Sequence, residues 1–166
     1  LTPVVLAGHG VARVRAAAAL REFARATGLG VAETFMGKGL LDYEDSHWLG
    51  TVGLQSRDYA LAGFEDADVV ITVGYDLVEH SPKHWNPRRD QRLVVIESEQ
   101  AEIDEYFVPE VELVGDIYHV LSRLAEEGRH VPHSSGSRRL RDIVLGRFEA
   151  AKDDDHFPMQ PPRVLW

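Results

Sequence analysis

Apolar residues gather along this chain in short runs separated by longer stretches of mixed character. Pro3-Val4-Val5-Leu6-Ala7 and Val69-Val70-Ile71-Thr72-Val73 are near-continuous runs of strand length, the pattern of strands covered on both faces. Val31 to Phe35, Arg92 to Ile96 and Val111 to Val114 read as further strands, and His47-Trp48-Leu49 as a short one. Between the first two runs, Val11, Val14, Ala18, Phe23 and Ala24 repeat at helical spacing while Arg15, Arg21, Glu22 and Arg25 fall on other faces. This predicts one helix from about Val11 to Thr27, closed by Gly28 in a left-handed cap.

Ser56 is placed to open a helix through Ala60, Leu61 and Phe64, and Ile117, Val120, Leu121 and Leu124 mark another. The residues after Ile96, from Glu97 to Asp104, read as a turn or short helix. Strands and helices alternate, which predicts a Rossmann-like open parallel sheet with helices on both faces. From Gly128 to Ser137 the composition turns to Gly, Ser, Pro and His, a linker signature, and Leu140, Ile143, Val144 and Phe148 share one face of a later helix. Residues 1–127 are therefore expected to form the main domain, and 128–166 a connecting segment with one helix. The acidic run Asp153–Asp155 and the proline-rich end suit a connection to another domain. The start at Leu1 without a methionine and the ending at Pro161 to Trp166 also suggest a piece of a longer protein.

Composition narrows the class. With 166 residues, 44% hydrophobic and 27% charged, the chain suits an ordinary globular domain. A net charge of −9, with no basic cluster larger than Pro87-Arg88-Arg89 or Arg138-Arg139, disfavours nucleic acid and anionic membranes as partners. No apolar run approaches the roughly 18 residues of a membrane span, and no signal peptide is visible. The absence of cysteine removes disulfides, thiolate metal sites and a cysteine nucleophile, and is compatible with a cytoplasmic protein.

Candidate chemistry lies where strands end. Gly8-His9-Gly10 follows the first strand like the start of a dinucleotide fingerprint, but Arg13 stands where the third glycine belongs. Glycines there let backbone N–H groups approach a phosphate; the plain alternative is a tight turn into a helix. Asp76, Glu97 and Asp116 leave strand ends on the crevice side of a parallel sheet, where a carboxylate can meet ribose or adenine. Glu97 is the best such candidate, and Asp116 is better suited to capping the helix that follows it. His80 and His84 are four apart, but Pro82 between them disfavours a regular helix and with it a metal pair. Gly-x-Ser-x-Gly is absent, and Met36-Gly37-Lys38-Gly39 lacks the spacing of a phosphate-binding loop.

The order of these motifs resembles a known family. Gly8-His9-Gly10, Thr34-Phe35-Met36-Gly37-Lys38-Gly39, Leu49-Gly50-Thr51-Val52-Gly53, Val73-Gly74-Tyr75-Asp76, Ile96-Glu97 and Val114-Gly115-Asp116 follow one another as in the central domain of thiamine-diphosphate-dependent enzymes. Within that superfamily, the run from Gly74 through Glu79, Pro82 and Trp85 to Asn86 looks most like acetolactate synthase of the catabolic, acetoin-forming type. The resemblance implies a sheet of about six parallel strands, its third near His47-Trp48-Leu49. It implies a full-length enzyme that condenses two pyruvates to 2-acetolactate and carbon dioxide on thiamine diphosphate and Mg2+. It also implies N- and C-terminal domains as partners, the latter entered through 128–166, and a homo-oligomer.

In that family the activating glutamate and the Gly-Asp-Gly motif lie in the other two domains, so no catalytic or metal residue is assigned here, and the segment alone is expected to be inactive. Candidates for a nucleotide crevice are Gly8, His9, Gly10, Met36, Gly37, Gly53, Gly74, Asp76, Glu97 and Asp116. Biosynthetic acetolactate synthases bind FAD and carry an Arg-Phe-Asp-Asp-Arg-like run; here Gly74-Tyr75-Asp76-Leu77-Val78 keeps one aspartate and neither arginine. The loss of two cationic donors predicts that FAD is not required. Two other readings stay open: a stand-alone module binding NAD, FAD or ADP, and the central domain of another 2-keto-acid decarboxylase or oxidase.

Overall fold

The computed structural model describes residues 1–54, 58–133 and 135–151. Six strands, β1 (Pro3–Ala7), β2 (Gly30–Thr34), β3 (Trp48–Val52), β4 (Val69–Val73), β5 (Arg92–Glu97) and β6 (Val111–Val114), form one sheet in the order β3-β2-β1-β4-β5-β6. Every neighbouring pair is parallel. The chain winds outward from β1 through β2 to β3, then returns to β4 on the other side of β1 and winds outward again. The reversal lies between β1 and β4, at the centre of the sheet.

Period-2 alternation sends the strand residues to two separate cores. Val5, Ala7, Val31, Val73 and Ile96 face α2 (Ala17–Thr27) and α4 (Ile117–Gly128), which bring Leu20, Phe23 and Leu121. Val4, Leu6, Ala32, Val70 and Leu93 face the other way, toward α3 (Asp58–Leu61), Phe64 and an aromatic group of Tyr75, Trp85 and Phe107.

The single helix expected from Val11 to Thr27 is two. After α1 (His9–Arg13), Arg15 takes φ 58°, and α2 begins at Ala17 on a new axis. A left-handed residue without glycine costs on the order of 1 kcal/mol. Here the backbone is held by the Val14 N–H on Gly10 O (3.1 Å) and the Ala16 N–H on Val11 O (2.9 Å). Gly28 closes α2 at φ 72°, its N–H on Ala24 O, as the sequence predicts. The stretch from Ser98 to Val108 holds no helix; it folds back through an Asp104–Phe107 bridge that buries Phe107.

The last helix, α5 (Ser135–Ala151), packs on the sheet through Leu140 (1% exposed) and Val144 (0%). Gly63 leaves it room: a Cβ there would stand 2.7 Å from Leu140 Cδ1. Arg147 ties the same helix to α3, donating to Ala60 O at 2.7 Å and to Asp66 at 2.9 Å. Ser56, the Phe148 side chain, the Asp153–Asp155 run and the chain end lie outside the described residues. Leu140→Ala is expected to lower stability by about 3 kcal/mol, because a fully enclosed leucine leaves a cavity between α5 and the sheet. Urea unfolding followed by circular dichroism measures this; an unchanged midpoint would mean that α5 does not complete this core.

Candidate functional site

The carboxyl ends of β1 and β4 meet at a glycine contact. Gly74 ends β4 with φ 57°, and a Cβ on it would lie 2.5 Å from Val11 N. Gly10 packs on it from the other side, where a Cβ would lie 2.7 Å from Gly74 Cα. The Gly8 N–H donates to Val73 O (2.9 Å) and the Gly10 N–H to Gly74 O (2.8 Å). These glycines thus join two strand ends, and both N–H groups are already committed. Gly37 belongs to the same packing: its N–H donates to Thr34 Oγ1 at 3.0 Å, and a Cβ would come within 2.8 Å of Ala7 O.

One N–H of the Gly-x-Gly turn points elsewhere. His9 N donates to Glu79 Oε1 at 3.0 Å, and Asp76 N reaches the same oxygen at 3.3 Å. The Thr34 hydroxyl donates to Glu79 Oε2. Glu79 is 5% exposed and comes from the irregular segment after β4. The residue pattern marks it only as one position of a family motif; its role depends on partners 45 and 70 residues away.

In front of this contact lies a crevice of about 310 Å³, walled by His9, Arg13, Asp76, Glu97, Glu99 and Phe107. Of the predicted residues, His9, Gly10, Met36, Gly74, Asp76 and Glu97 line it. Gly8 sits behind it, under the Glu79 carboxyl group. Gly53 takes φ 94° beside Phe35, outside the crevice lining. Asp116 caps α4, accepting from His119 N at 2.7 Å, and is also absent from that lining. Two of the lining acids are turned to local use: Asp76 Oδ1 accepts from Val78 N (3.0 Å), and Glu97 Oε1 from Ser98 N (2.7 Å).

Asp76, Glu79, Glu97, Glu99 and Glu102 stand here against Arg13. So acidic a wall disfavours a diphosphate group. Among the described residues no group of three or more His, Asp or Glu is placed to hold a metal ion.

The segment from Tyr75 to Asn86 is knit for packing. Tyr75 OH donates to His80 O, Trp85 Nε1 donates to Tyr75 OH at 3.3 Å, and Asn86 Nδ2 donates to Tyr106 O at 2.8 Å. Trp85 packs on Phe64, Tyr75 and Phe107, with ring centroids about 6 Å apart. Ser81 and Pro82 start a 3-10 turn, so His80 and His84 are not on one α-helical face. Their rings lie tilted against each other instead, with centroids 4.4 Å apart, and His80 stacks on Tyr59 at 5.4 Å. Burial and the neighbouring His84 hold His80 below the ordinary histidine range.

Another buried carboxyl group lies on β2. Glu33 (1% exposed) accepts from Leu41 N at 2.6 Å, Gly39 N at 3.2 Å and Trp48 Nε1 at 3.3 Å. Burial raises its pKa above the usual carboxyl value, against the lowering by those donors. It braces the loop between β2 and β3.

A sheet that reverses between β1 and β4, with glycine turns at that point, defines a doubly wound α/β domain of the dinucleotide-binding type. A family model described as thiamine pyrophosphate enzyme, central domain, matches residues 2–124, and the chain belongs to that family. Acetolactate synthase of Bacillus subtilis (strain 168) is 32% identical over 140 residues, covering 83% of this chain and 24% of the relative. Catabolic acetolactate synthase of Raoultella terrigena is 34% identical over 95 residues, 57% of this chain and 17% of the relative. Glyoxylate carboligase of Escherichia coli O157:H7 is 31% identical over 171 residues, 98% of this chain and 29% of the relative. The X-ray structure of a protein isolated from Mycobacterium smegmatis superposes with a TM-score of 0.58 at 22% identity, covering 75% of this chain and 24% of that one. The chain thus spans 17% to 29% of the length of these relatives.

Proposed function

We propose that this chain is the central domain of an acetolactate synthase of the catabolic type, a scaffold held between an N-terminal and a C-terminal domain of one oligomeric, cytoplasmic enzyme. The reaction joins two pyruvates into 2-acetolactate with loss of carbon dioxide, on thiamine diphosphate and Mg2+ held by the other domains. The observation that carries this reading is the Tyr75–Asn86 segment. Its Tyr75, Trp85 and Asn86 form the cap over one core rather than a reactive site, as expected of a domain that supports chemistry elsewhere. Similarity to acetolactate synthases, the catabolic Raoultella terrigena protein among them, supports the choice of reaction.

Flavin is not needed. The acidic crevice lacks the paired cations that would hold a dinucleotide diphosphate, which also weighs against a stand-alone NAD, FAD or ADP module. The similarity to glyoxylate carboligase runs through nearly the whole chain and keeps another 2-keto acid as the second reading.

The test is the longer enzyme containing this domain, freed of flavin and supplied with pyruvate, thiamine diphosphate and Mg2+. Acetolactate is expected, at a rate that added FAD leaves unchanged. Condensation of glyoxylate without acetolactate would sink the substrate assignment, and dependence on added FAD would sink the flavin-free one.

A further inference from the structure

Donors from three separate strand ends converge on the Glu79 carboxyl group: His9 N after β1, Thr34 Oγ1 at the end of β2 and Asp76 N after β4. Two backbone N–H groups and a hydroxyl, gathered where a doubly wound sheet reverses, make a cradle suited to one phosphate group. The fold makes room for the internal occupant. A Cβ on Gly8 would lie 2.6 Å from Glu79 Oε1, so only glycine lets the carboxyl group sit this close to the backbone. Glu79 lines the crevice and is 5% exposed, so it belongs to the crevice floor rather than to its mouth.

We propose that Glu79 is a specificity-determining residue that closes the switch-point crevice to nucleoside diphosphates by occupying, with its own carboxyl group, the position a phosphate would take. The inference rests on the flavin-free reading above and supplies its structural cause. Two effects act together. The side chain fills the cradle, and its negative charge adds to Asp76 and Glu97 in repelling a second anion. Filling is the dominant one, because every donor of the cradle already has a partner.

Equilibrium dialysis of this chain with ADP, and separately with inorganic pyrophosphate, tests the proposal on the wild type, Glu79→Ala and Glu79→Gln. Alanine empties the cradle and is expected to tighten ADP binding at least about tenfold. Glutamine fills the cradle without the charge and is expected to stay within about threefold of the wild type. Wild-type binding as tight as that of the alanine variant overturns the proposal, as does a folded alanine variant that gains nothing. A gain as large with glutamine as with alanine overturns the claim that filling dominates.

If Glu79→Ala does not fold alone, refolding in acetate against chloride of equal ionic strength reads the same cradle. Recovery of the native circular dichroism only in acetate supports the proposal, and no recovery overturns it. Acetolactate formation by the longer enzyme does not enter these measurements, so either reading can fail without the other.

Discussion

Gly74→Val is expected to leave the chain unfolded or nearly so at room temperature, with a loss of at least about 4 kcal/mol. Two costs combine. The residue sits at φ 57°, a conformation that a β-branched side chain adopts only under strain. The Cβ also meets backbone rather than side chain: Val11 N at 2.5 Å, Gly10 C at 2.8 Å and Gly10 Cα at 2.9 Å. Nothing there can rotate away, so the ends of β1 and β4 must separate. That separation breaks the Gly8 N–H bond to Val73 O and the Gly10 N–H bond to Gly74 O. Gly74→Ala carries the same Cβ and is expected to follow in the same direction. Circular dichroism and urea midpoints measure both, and a folded valine variant of near-native stability would show that the contact is slack.

Glu33→Ala is the second large effect, at about 3 kcal/mol, because it strands the N–H groups of Leu41 and Gly39 and the Trp48 indole N–H. Its companion Glu33→Gln reads the charge. Desolvation raises the folded pKa of Glu33 above 4.5, so the stability this group contributes is fully present below pH 4.5 and is lost as pH rises through the folded value. Glutamine cannot ionise and keeps its contribution. The stability difference between the two proteins should therefore shift in favour of glutamine as pH increases from 4.5 toward neutrality. Urea midpoints across that range measure the shift. A difference that moves toward the wild type would mean that the N–H donors outweigh burial and that the folded pKa is lowered.

Two of the buried carboxyl groups, Glu33 and Glu79, mark the boundary of what the residue pattern reveals. Strands such as Pro3–Ala7 and Val69–Val73 are legible because burial on both faces leaves a near-unbroken apolar run, and their observed limits coincide with the pattern. Gly28 and Asp116 are legible because caps depend on neighbours one turn away. Nothing in the residue pattern marks Glu33 or Glu79 as buried, since the donors that hold them come from outside their own segments. The break between α1 and α2 is hidden for the same reason. Nothing in Val14-Arg15-Ala16 forbids a helix, and the turn follows from how Gly10 is anchored to Gly74. His9, Gly10, Asp76 and Glu97, which leave strand ends in the sequence, line the crevice.

The sheet reversal between β1 and β4 also bears on how the chain folds. β1 closes against β2 after one helical crossover, a local event, but its pairing with β4 joins segments as far apart as Thr2 and Asp68, 66 residues along the chain. The entropy of closing so long a loop must be overcome before those contacts give any return. The glycine contact and the Glu79 cradle both need the ends of β1 and β4 side by side, so the centre of the sheet rests on the closure of that long loop.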